Sequence, residues 1–138
     1  MTDRDVVALT IWGEARGESI EGKIAVACVI QNRLVDGRWG STYPSVCQAR
    51  KQFSCWNAGD PNRAKIQALE QALEGLQTVE PVLDECLWVA EGLIAHRIRP
   101  RVKQATHYYA ISIQPPFWTK GGTFVETIGQ HSFYQGVK

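Results

Sequence analysis

Residues 10–19 read TIWGEARGES, which places the carboxylate of Glu14 at the end of an apolar run, just before Gly17. A carboxylic acid among apolar neighbours keeps its proton to higher pH, because burial disfavours the charged form. Such an acid can donate a proton near neutral pH, so Glu14 is the first candidate for chemistry. Glu18 follows four residues later. In one continuous helix the two acids would share a face and repel each other, but Gly17 is expected to end the helix between them. Glu18 is then a favourable charge at the start of the next helix. Its alternative role is to orient Glu14 or Arg16, and Arg16 is expected beside Glu14 in a supporting part.

Three other stretches carry polar and aromatic side chains in loop-like surroundings: Gln52-Phe53-Ser54, His107-Tyr108-Tyr109 and His131-Ser132-Phe133-Tyr134. Flat rings with amides and hydroxyls are what a sugar site needs, although any one of these rings can equally pack its own loop. His96, His107, His131 and Glu14 are the side chains a metal would use. Their spacing matches no HExxH-type motif, so no metal and no cofactor are expected. Ser132 lacks a nucleophile-elbow context. The basic run Arg97, Arg99, Arg101 and Lys103 reads as a solvated linker, with some attraction for an anionic polymer.

These candidates need elements to hold them. Thr2, followed by Asp3 and Asp5, is a helix start. Val7, Ile11 and Ala15 share a stripe, and Gly17 is expected to close that helix in the left-handed conformation. Ser19 caps a second helix, roughly Ile20 to Val35, which is apolar almost all round and therefore expected to be a buried central helix rather than a surface one. Gly37 closes it. From Arg38 to Gly59 the chain reads as a long loop with aromatics. Asp60-Pro61 starts another helix, with Ile66, Leu69, Leu73 and Leu76 on one stripe, and a further helix is expected from Pro81 to His96. Alternation over Thr123–Ile128 suggests a short strand or hairpin. The expected fold is mostly α: one helical domain spanning 1–138, with long aromatic loops and a small β-hairpin.

Composition narrows the function classes. The chain has 138 residues, enough to bury a real core, and a formal net charge of +1, too small for nucleic-acid binding by bulk charge. No apolar segment is long enough to span a membrane. The first residues carry acids where a signal peptide carries cations, so synthesis and retention in the cytoplasm are expected unless something releases the chain. Cys28 and Cys86 lie in apolar helical patterns and read as core residues. Cys47 and Cys55 flank a polar loop, where a disulfide and a pair of free thiols are both open.

Taken in order, Glu14-Ala15-Arg16-Gly17-Glu18, then Gly22 with AVACVIQNR (Ala25 to Arg33), then Gln52-Phe53-Ser54-Cys55, ATHYYA (Ala105 to Ala110) and IGQHSFY (Ile128 to Tyr134) resemble the spore cortex-lytic and cell-wall hydrolase family, which includes phage endolysins. The resemblance implies a lysozyme-like fold and cleavage of peptidoglycan glycan strands as a lytic transglycosylase. It implies Glu14 as the single catalytic acid, with Gln52, Phe53, Ser54, His107, Tyr108, Tyr109, His131 and Phe133 along the sugar groove. Tyr109 departs from the family pattern, standing where a histidine or asparagine is often found. A monomer whose partner is the glycan strand is expected, and the resemblance implies work on the bacterial wall after release during host lysis. The alternatives are a muramidase that uses water, a non-catalytic wall-binding module, and a zinc or thiol hydrolase.

Overall fold

The hydroxyl of Thr2 accepts from the Asp5 amide while the Asp5 carboxylate accepts from the Thr2 amide, a reciprocal cap that starts helix α1 (Asp3–Ala15). The computed structural model describes residues 1–75 and 80–138. Helix α2 (Ile20–Asp36) starts at Ser19, whose hydroxyl accepts the Gly22 amide, and ends at Gly37 with φ +88°. The expected loop from 38 to 59 contains a short helix, α3 (Tyr43–Cys47), capped by Thr42, and a tight turn at Ser54–Trp56. Helix α4 (Pro61–Glu74) is capped by Asp60, and helix α5 (Pro81–Ile94) by Glu80. Leu76 of the expected α4 stripe lies outside the described residues.

Helix α1 is the hub of the helical layer, packing against α2, α3, α4 and α5. Its residues Asp5 to Trp12 are buried without a break, so the single stripe read from sequence underestimates its enclosure. Helix α2 is also deeply buried, and its Lys23 is only 3% exposed. The Lys23 ammonium donates to the Glu18 carbonyl and pairs with Glu85 Oε1 of α5 at 3.0 Å. Close approach decides the residue type at one point of α1. A Cβ on Gly13 would lie 2.6 Å from Cys55, so only glycine lets the Ser54–Trp56 turn sit against the helix.

Helix α5 ends at Ile94, two residues short of the expected His96. His96 adopts φ +58°, and the Arg97 and His96 amides return to the Gly92 and Leu93 carbonyls at 2.7 and 3.1 Å. Beyond it, the expected hairpin is two strands of a three-stranded antiparallel sheet. Its strands are β1 (His107–Ala110), β2 (Thr123–Ile128) and β3 (His131–Gln135), in the order β1-β3-β2. The register pairs Tyr108 with Phe133 and Ala110 with His131, and β2 carries a bulge between Phe124 and Glu126. Side chains therefore alternate between two faces. Tyr108, His131 and Phe133 share the inner face, while His107, Tyr109 and Tyr134 share the outer one.

All four cysteines are free and buried. Burial pushes the thiols of Cys47, Cys55 and Cys86 up to about 12, so they stay protonated core side chains. The disulfide left open for Cys47 and Cys55 does not form.

Candidate functional site

Helix α1 ends where the chemistry was expected to begin. Ala15 is its last residue, Arg16 keeps right-handed dihedrals (φ −61°, ψ −26°), and the Glu18 amide returns to the Ala15 carbonyl at 2.9 Å. The corner is thus a tight right-handed turn, and Gly17 does not enter the left-handed conformation expected of it. Beside this corner opens a cleft of about 480 Å³, lined by residues 13–18, Asn62 at the start of α4, and Gln130 and His131 of the β2–β3 turn.

Glu14 is half-buried at this cleft. Tyr108 donates its hydroxyl to Glu14 Oε1 at 2.7 Å. Burial raises the Glu14 pKa above the ordinary 4.5; the Tyr108 hydrogen bond opposes that rise, the charge of Asp60 adds to it, and Arg33 opposes it. Tyr108 is itself kept protonated, first by burial and then by the neighbouring Glu14. The tyrosine is therefore a permanent donor that fixes one carboxyl oxygen and leaves the other to carry a proton.

Glu18 has a different task. Its Oε1 accepts the Gln130 amide at 2.9 Å and lies 3.2 Å from His131 Nδ1. A Cβ on Gly129 would come within 2.8 Å of that same oxygen, so the glycine, at φ +56°, lets the carboxylate reach the turn. Glu18 thereby fastens the β2–β3 turn to the α1–α2 corner. Burial lowers the His131 pKa despite the adjacent Glu18, so the ring is neutral near pH 7. That ring stands edge-on to Tyr108, with centroids 5.0 Å apart. Glu18 and Glu14 are thus connected at two removes, through His131 and Tyr108.

Arg33 was not singled out in the sequence, yet it organises the other side. It is 6% exposed, donates Nε to the Thr106 carbonyl at 2.7 Å and Nη1 to Gln52 Oε1 at 3.0 Å. Its guanidinium lies 4.6 Å over Trp39 and 5.0 Å over Phe53. Burial pulls its pKa down, while Tyr108 and Glu14 pull it back up. One buried cation so ties α2 to the Gln52 loop and to the residue preceding β1.

The expected sugar-contacting residues divide. Glu14, Arg16, Glu18 and His131 meet at the cleft, with Tyr108 beneath them. Gln52 and Ser54 are exposed, Gln52 being held by Arg33. Phe53 and Phe133 are 2% and 0% exposed, so both rings are core packing and offer no face to a sugar. His107 and Tyr109 point to the outer face, where they pack with Trp118 at 5.1 and 6.1 Å. Burial, with Arg33 and Arg38 nearby, takes the His107 pKa down to about 4. Among the described residues, no cluster of three or more His, Cys, Asp or Glu side chains could hold a metal ion. Asn62 and Gln130 line the cleft without having been singled out. Gln130 lies inside the quoted IGQHSFY stretch, whereas nothing in the sequence marks Asn62.

The model of the Cell Wall Hydrolase family matches residues 17–134, a span that begins just after Glu14. The spore cortex-lytic enzyme of Oceanobacillus iheyensis is 35% identical over 77 residues, which are 53% of this chain and 28% of that protein. That of Bacillus subtilis is 32% identical over 85 residues, 59% of this chain and 28% of that protein. The chain thus spans a little over a quarter of the length of these relatives. Among solved structures, the catalytic domain of the germination-specific lytic transglycosylase SleB from Bacillus anthracis superposes with a TM-score of 0.65. It is 22% identical, over 96% of this chain and 93% of that one. The Bacillus cereus SleB catalytic domain gives the same TM-score and identity, over 96% of this chain and 89% of that one. These superpositions bear out the lysozyme-like, mostly helical fold, and with residues 17–134 matching the family model, the chain belongs to the cell wall hydrolase family.

Proposed function

We propose that this chain cleaves peptidoglycan glycan strands as a lytic transglycosylase, breaking the β-1,4 bond that joins C1 of N-acetylmuramic acid to the next N-acetylglucosamine. The observation that carries the reading is Glu14: a half-buried acid with a raised pKa, fixed by Tyr108 and open to a cleft. The lytic names of the relatives point the same way. Glu14 gives its proton to the glycosidic oxygen as the C1–O bond breaks, and an oxocarbenium-like sugar forms. A two-carboxylate glycosidase would then use a second acid as nucleophile or base. The other cleft acid, Glu18, is occupied with the Gln130 amide and His131. The 6-hydroxyl of the same muramic acid attacks C1 instead and returns its proton to the Glu14 carboxylate. An intramolecular nucleophile has a large advantage in effective concentration. The product ends in 1,6-anhydro-N-acetylmuramic acid, and the enzyme is restored.

Glu14→Gln is the test. It should keep the fold and slow release of fragments from purified sacculi by about 100-fold or more, the scale of lost general-acid catalysis. Clearing at the wild-type rate would refute the assignment. Mass spectrometry of wild-type digests identifies the nucleophile: anhydro ends support the 6-hydroxyl, whereas reducing ends would mean that water attacks and the chain is a muramidase. Action on the wall after release from the cytoplasm, in the manner of an endolysin, is part of the proposal. Its test is lysis from within when the chain is expressed with a membrane pore, against no lysis without the pore.

A further inference from the structure

Among the described residues, Arg16 is the single Arg or Lys lining the cleft. Its guanidinium lies 4.3 Å over the Trp12 ring. It donates Nη2 to Asn62 Oδ1 at 2.9 Å and Nη1 to the Trp12 carbonyl at 3.4 Å. All these partners are uncharged. Among the described residues, no carboxylate comes within ion-pairing distance of it. The other charged side chains at the cleft have set tasks, Glu14 with Tyr108 and Glu18 with the β2–β3 turn. Arg16 is therefore a cation held in place by a ring and an amide, with no intramolecular anion, two residues from the acid. A guanidinium has more N–H donors than these contacts use, and its planar fork suits a carboxylate.

We infer that Arg16 binds the carboxylate carried by the 3-O-lactyl substituent of muramic acid and so decides which sugar presents its C1 to Glu14. This rests on the glycan-cleaving reading above. In an alternating strand both sugars offer a β-1,4 bond, and they differ in the lactyl group at C3. C3 and C1 belong to one ring, and Arg16 and Glu14 face one cleft. An anion at C3 held by Arg16 brings the C1 oxygen of muramic acid to Glu14, while N-acetylglucosamine has nothing for Arg16 to hold. The carboxylate has two sources: the free lactyl acid of a bare strand, or the acidic peptide stem attached there.

The test uses binding, so that it stands apart from catalysis. Full-length Glu14→Gln protein is titrated calorimetrically with three tetrasaccharides. One is neutral tetra-N-acetylglucosamine, the second an alternating strand with free lactyl acids, and the third the same strand bearing peptide stems. At least one acidic ligand should bind about tenfold tighter than the neutral one, the scale of a charge-assisted pair, and the tighter arm identifies the source. Adding Arg16→Gln should collapse that preference, and Arg16→Lys should restore part of it. In the Glu14→Gln protein alone, the preference should shrink as salt rises. Equal binding of all three ligands, or a preference that survives Arg16→Gln in a folded protein, would overturn the inference. Neither result touches the role of Glu14, which is judged by the sacculus assay.

Discussion

At the scale of single residues, the candidate site centres on Glu14 and its permanent donor Tyr108. Tyr108 donates to Glu14 and favours its ionised form, while burial works the other way and is the larger effect. A general acid must start protonated, so in the role proposed for Glu14 activity is held below its folded pKa and lost as pH rises through it. In Tyr108→Phe the opposing hydrogen bond is gone and the Glu14 pKa should climb further. The alkaline limb of the kcat/KM profile should then move to higher pH, while kcat falls because the carboxyl is no longer fixed. A limb that stays in place or moves to lower pH would show that Tyr108 does not tune Glu14. The same balance bears on stability. A carboxyl whose folded pKa is raised stabilises the fold below its unfolded pKa, and that contribution is lost as pH rises through the folded value. Glu14→Gln should therefore melt at a higher temperature than wild type at pH 7, with the gap closing towards pH 4.

Among the elements, local rules were legible and long-range ones were not. The caps at Thr2, Ser19 and Asp60 and the glycine stop at Gly37 could be read because a cap depends on a few consecutive residues. The half-buried position of Glu14 at a helix end could be read for the same reason, from an apolar turn beside a glycine. Strand β1 could not. Its four residues pair with β3 more than twenty residues away, and that pairing sends Tyr108 inward and Tyr109 outward. The expected groove lining treated neighbours in sequence as neighbours in space, so it mixed core rings (Phe53 and Phe133) with surface ones. Arg33 escaped notice because its partners, Gln52 and the Thr106 carbonyl, are equally remote. Gly13 shows a constraint of the same type. Gly13→Ala would drive a methyl into Cys55 and should destabilise the protein by about 1–3 kcal/mol, the usual cost of overpacking. A denaturant midpoint unchanged from wild type would mean that the turn at Ser54–Trp56 yields without strain.

For the whole molecule, the helical layer and the sheet are joined near the cleft by polar contacts: Tyr108 to Glu14 and the Gln130 amide to Glu18. No helix among the described residues is long and apolar enough to cross a membrane. The core meanwhile holds four thiols that burial keeps protonated and enclosed. A thiol reagent such as dithionitrobenzoate should label essentially none of them in the native protein and all four after denaturation. Rapid labelling of any one under native conditions would show that the core opens locally. Reducing agent should leave the melting temperature where it is. Because its four cysteines are unpaired and enclosed, the fold holds no disulfide for a change of redox potential to break. The same folded chain should therefore tolerate reducing and oxidising surroundings alike, with no refolding between them.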